Sequence, residues 1–150
     1  MASNRCRFWS AANLGYRLQA LGLDPQAWAR SLTYFSGSQT PYWDAIYTSY
    51  DRALRAGVSS MRRTGQPIGL LVYHGGHAWT MIGYTATADP RKTDKYQVTG
   101  VYVAAPFVAW TDPRPGTYYS TASFRYKMTT YWEPERWTRW NGYYTIILPR

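Results

Sequence analysis

Thiol and imidazole are scarce in this chain of 150 residues: it holds one cysteine, Cys6, and two histidines, His74 and His77. A lone cysteine excludes an internal disulfide and a zinc site built on thiolates. Two imidazoles three positions apart, with no third ligand close by, make a poor metal pair, and no cofactor is expected. Acidic residues are few as well, 8 against 17 Lys and Arg, which leaves a formal charge of +9. That surplus serves solubility and would also draw an acidic peptide or an anionic cell-envelope polymer. The cations are scattered, in runs no longer than Arg62-Arg63 or Arg91-Lys92. Nucleic acid is therefore not an expected partner, since it asks for a basic stripe or a recognised module. No apolar run approaches the length of a transmembrane segment, and Met1 to Arg5 lacks the hydrophobic stretch of a signal peptide. A secreted or cell-surface setting is the expectation, the abrupt start fitting a piece cut from a longer precursor.

What the chain does have is apolar and aromatic material. Hydrophobic residues at 45% and charged residues at 17% describe a folded protein, and the length suits one domain spanning residues 1–150. The 15 Tyr and 8 Trp bring large apolar area with a polar tip, equally at home in a core, a wet groove or a binding platform.

The spacing of apolar residues sets the order of elements. Phe8, Ala11, Ala12, Leu14, Leu18 and Leu21 fall near helical period, with Gly22 as a stop. Asp24-Pro25 is an N-cap followed by a first-turn proline, opening a second helix through Phe35 that the stretch Ser36 to Pro41 ends. A third helix is predicted from about Tyr50 to Arg63, with Ala53, Leu54, Val58 and Met61 on one side. From residue 67 the period shortens. Ile68 to Tyr73 and His77 to Tyr84 form a hairpin around Gly75-Gly76, Gln97 to Ala104 a third strand, and Tyr143 to Leu148 a closing strand. Pro106, Pro113, Pro115 and Gly116 punctuate a long aromatic connection, and Trp132 to Trp137 a short turn or helix. The expected class is α+β, with N-terminal helices packed on a C-terminal antiparallel sheet.

The scarce reactive groups fall at informative places in that order. Cys6 lies just before the first helix, where unpaired amides and the positive end of the dipole favour a thiolate. His77 follows a glycine turn and opens a strand, so an imidazole brought alongside the thiol would complete an ion pair.

These stretches resemble the papain-like cysteine peptidases, and more narrowly the short bacterial branch related to bacteriocin-processing peptidases. The likeness is carried by Cys6-Arg7-Phe8-Trp9-Ser10-Ala11, similar to the nucleophile motif, and by Gly76-His77-Ala78-Trp79 with Ile82-Gly83-Tyr84, similar to the histidine strand. It implies a papain-like fold in which Cys6 is the nucleophile and His77 its general base, acting on peptides. Three places depart from the pattern. Counting back from Gly22 by the spacing of the short bacterial domains sets Trp9 where the nucleophile belongs, Ala105 stands where an Asp or Asn would orient the histidine, and Asn4 is the sole amide upstream of Cys6. Asp89, Asp94 or Asp112 would have to supply the missing carboxylate from a loop.

The same residues support a second expectation, a non-catalytic binding module on the same fold. Trp9 then plugs the nucleophile position, and a basic aromatic surface that includes Trp79, Trp137, Arg139 and Trp140 holds a peptide, an envelope glycan or a protein partner.

Overall fold

Residues 24–36, 41–104, 113–134 and 138–150 are described by a computed structural model. The helix expected over residues 8 to 21 lies outside them.

Two helices are started and stopped by their own side chains. Helix α1 spans Pro25–Phe35, and the carboxylate of Asp24 accepts from the Ala27 N–H at 2.7 Å. Helix α2 spans Tyr50–Thr64, where Ser49 accepts from the Arg52 N–H at 3.3 Å. Asp51 in its first turn and Arg62 and Arg63 in its last match the helix dipole. Gly65, at φ 67°, closes it with an N–H to the Met61 carbonyl, a left-handed cap that glycine adopts without strain.

Strand β1, Tyr42–Tyr47, lies between these helices. It corrects the expected order of helices first and strands after. Strands β2 (Ile68–Val72) and β3 (His77–Ala86) form the expected hairpin, β4 is Val98–Ala104, and β6, Tyr144–Pro149, closes the chain. The aromatic connection contains a further short strand, β5 (Thr117–Ser120), and a single helical turn, α3 (Thr121–Phe124). All six strands join one antiparallel sheet in the order β1-β6-β2-β3-β4-β5. The class is α+β, with helices laid on the sheet.

Alternation along the strands divides the core in two. Ile68, Leu70 and Val72 join Trp79, Met81, Val101, Val103, Ile146 and Leu148 against Ala53, Leu54 and Val58 of α2. Each such aliphatic side chain, fully buried, contributes roughly 1.5–3 kcal/mol. The intervening residues point the other way, toward α1. Ile147 packs with Ala29 and Tyr42, and Leu71 packs with Tyr131 and Trp140. Gly69 belongs to that second face, where a Cβ would come within 2.6 Å of the Trp28 indole. A strand covered on both faces explains why Ile68 to Val72 is apolar throughout rather than alternating. Among the described residues no helix is long and apolar enough to cross a membrane.

Candidate functional site

His77 is the first residue of β3 and pairs across the hairpin with Val72. Its ring is exposed at the end of the sheet, edge-on to Tyr73 with centroids 5.9 Å apart. The turn that delivers it is strained. Tyr73 and His74 hold φ of 52° and 59° and Gly75 follows at 89°, so three successive residues are left-handed and two of them carry side chains that disfavour it. Neighbouring chain keeps the turn in place: the Tyr73 N–H donates to the Lys127 carbonyl at 2.8 Å, and the His74 N–H to Thr129 Oγ1 at 2.7 Å. The His74 carbonyl accepts from the Trp132 N–H at 3.1 Å, and its ring Nδ1 lies 2.9 Å from the Thr130 carbonyl. His74 is thereby committed to fixing the turn. Among the described residues no three His, Cys, Asp or Glu side chains gather to hold a metal ion.

Tyr73, the ring that meets His77, also helps to box a cation. The Lys127 ammonium sits 5.6 Å from the Tyr73 ring, 5.8 Å from Trp79 and 5.3 Å from Tyr119. Trp79 stacks on Tyr119 at 6.0 Å and meets Tyr73 edge-on at 5.7 Å, so the three rings brace one another. Tyr73 therefore touches both the exposed imidazole and a fixed positive charge.

The other residues singled out in the sequence fall in different places. Trp79 is 0% exposed and belongs to the core, where it supports Tyr73 from behind instead of forming a surface. Its position two residues from the equally buried Met81 on β3 accounts for this, since both point to the α2 side. Trp140 is buried too, its indole N–H donating to Asp44 Oδ2 at 2.7 Å. Arg139 is the exposed member of that pair, ion-paired with Asp44 and lying 5.1 Å over the Trp140 ring. Cys6, Trp9 and Trp137 lie outside the described residues, as do Asn4, Ala105 and Asp112. Asp89 and Asp94 are in the loop after β3. That ten-residue strand separates them from His77 by about 30 Å at its usual rise, so neither orients the imidazole.

A second feature had no counterpart in the sequence reading. A cleft of about 510 Å³ runs along β1, lined by Trp43, Asp44 and Ile46 and by three arginines, Arg30, Arg139 and Arg150. Arg150 lies 5.6 Å over the Trp43 ring. Tyr73, Lys127 and Asp44 were equally unmarked in the sequence, because what defines them is contact with chain 50 to 100 residues away.

The chain matches no protein-family model, no curated protein and no solved structure.

Proposed function

We propose that this chain is a papain-like cysteine-peptidase-type domain directed at peptides, with Cys6 as nucleophile and His77 as general base. The observation that supports this most is the presentation of His77: an exposed imidazole on the first residue of an antiparallel strand, set by a turn held in a costly conformation. Left-handed backbone at residues with side chains costs of order 1–3 kcal/mol each and concentrates at functional sites. In the proposed reaction the Cys6 thiol gives its proton to His77 and attacks the carbonyl carbon. His77 then returns the proton to the leaving amine, and water hydrolyses the thioester. Rapid iodoacetamide labelling of Cys6 below pH 7, slowed in His77→Ala, is the expected result. An ordinary thiol pH profile, unchanged in that variant, overturns the assignment.

A second reading, a non-catalytic module that holds a peptide, an envelope glycan or a protein partner, is favoured by a separate observation, the basic and aromatic lining of the β1 cleft, where Arg150 lies over the Trp43 ring. It expects ligand binding to survive Cys6→Ala in full.

A further inference from the structure

A second cleft, between the end of α2 and the overhanging end of β3, carries an inference that goes beyond both of these readings. We propose that it is a binding site for the phosphate ester of a small organic molecule.

The cleft follows from unequal strand lengths. Strand β2 has five residues and β3 ten, and their ladder runs only from Ile68↔Met81 to Val72↔His77. Beyond Met81, β3 keeps β4 on one side, while on the other the chain leaves α2 through Gly65, Gln66 and Pro67 on its way into β2. A bulge falls at this point. The register with β4 steps from Met81↔Val103 to Gly83↔Tyr102, which leaves Ile82 as the extra residue, 45% exposed. The space so framed is about 530 Å³, within the range of sites for small molecules. Tyr84 in its wall is seven residues along β3 from His77, roughly 20 Å at the usual rise, so the cleft is separate from the proposed general base.

Its charge is of one sign. The polar residues of the lining are Arg62, Gln66, Tyr84 and Arg91, all of which carry hydrogen-bond donors and none of which is acidic. Arg62 donates one guanidinium nitrogen to the Pro90 carbonyl, a bond that holds the loop after β3 against α2 and so places Arg91 on the same cleft. Arg91 engages only its main-chain N–H, which donates to Asp89 Oδ1 at 2.9 Å. Among the described residues neither guanidinium is paired with a carboxylate. Asp89, the acid closest to Arg91 along the chain, does not line the cleft. The negative end of α2 is answered locally, since the Ser60 carbonyl accepts from the Thr64 hydroxyl at 2.8 Å and the Met61 carbonyl from the Gly65 N–H. Two forked guanidiniums suit an oxyanion with several acceptor oxygens, phosphate above all. Met61, Pro67 and Ile82 add apolar surface for the rest of the molecule. A bare ion leaves that surface unused, and an amine meets like charge.

The test is isothermal titration calorimetry of the whole chain with phenyl phosphate. Saturable binding is expected, about tenfold tighter than that of inorganic phosphate because the apolar wall is used as well. Benzyl alcohol, which lacks the anion, is expected not to bind. Arg91→Glu, which removes a guanidinium with no hydrogen bond or ion pair among the described residues, is expected to weaken phenyl phosphate about tenfold or more. Arg52→Glu makes the same change of net charge at the opposite end of α2, and is expected to leave the affinity within about twofold. Both variants are checked for native circular dichroism. Absence of saturable binding overturns the site, and so does equal weakening by the two variants, which would report net charge alone. Inorganic phosphate binding as tightly as phenyl phosphate overturns the ester in favour of the ion.

Discussion

Lys127 donates from its ammonium to the hydroxyl of Tyr73 at 3.1 Å, and this bond ties the segment after α3 to the turn that presents His77. The ammonium is half-buried among three rings and removing its charge leaves their faces without a cation. Lys127→Met, which keeps most of the stem, is expected to cost about 1–2 kcal/mol in urea unfolding with an unchanged m value. A wild-type midpoint would mean that the rings pack equally well without it.

Gly75 sits at φ 89° with the Tyr131 ring 2.4 Å from where a Cβ would lie. Gly75→Ala meets both backbone strain and a clash with a buried ring, and is expected to destabilise by roughly 2–4 kcal/mol. Gly65→Ala is the comparison, with a positive φ and open space around it. Its smaller loss in the same thermal melt isolates the part due to Tyr131.

Tyr50 donates its hydroxyl to the Thr121 carbonyl at 2.8 Å and is buried beneath Arg125. Burial pushes its phenol well above the ordinary tyrosine range, with the Arg125 guanidinium acting in the opposite direction. A raised folded pKa means that the folded state keeps the proton after the unfolded state has lost it. Stability from this group is full below about pH 10 and declines as pH rises beyond that value. Tyr50→Phe is expected to be about 1 kcal/mol less stable near neutrality, through the lost hydrogen bond, with the gap closing above about pH 10. A gap that stays constant to alkaline pH would contradict this.

Asp44 accepts from both Trp140 and Arg139, its side chain 8% exposed while that of Arg139 is 57% exposed. The exposed guanidinium contributes little, and the buried indole N–H decides the cost. Asp44→Ala, which strands that donor, is expected to lose about 1–3 kcal/mol, and Asp44→Asn, which keeps an acceptor, distinctly less. Equal losses in chemical denaturation would assign the effect to the ion pair.

Most elements of the fold were legible where local chemistry decides them. Asp24-Pro25 and the apolar spacing from Tyr50 onward define both long helices, and the short apolar or alternating stretches from Ile68, His77, Gln97 and Tyr143 define four strands within a residue or two. Strands β1 and β5 escaped for physical reasons. In Tyr42 to Tyr47 nearly every side chain is apolar or aromatic, exposed Trp43 and Ile46 as much as buried Tyr42 and Ala45, so no alternation shows. Thr117 to Ser120 is four residues long and depends on its partner β4. The position of His77 at a strand start was readable from Gly75-Gly76. The misplacement of Trp79 and Trp140 reflects the two-sided nature of indole, whose N–H finds Asp44 in one case and whose ring is boxed in the other.

Strand β1 is the last of the sheet on its side, which bears on how copies of this chain treat each other. Strand rims of this kind invite self-pairing, the first step toward fibrils. A charge of +9 on every copy opposes that meeting at low ionic strength. Concentrated salt removes the mutual repulsion and leaves the exposed Trp43 and Ile46 to bring copies together. The protein is thus kept apart from itself by its own surplus of positive charge.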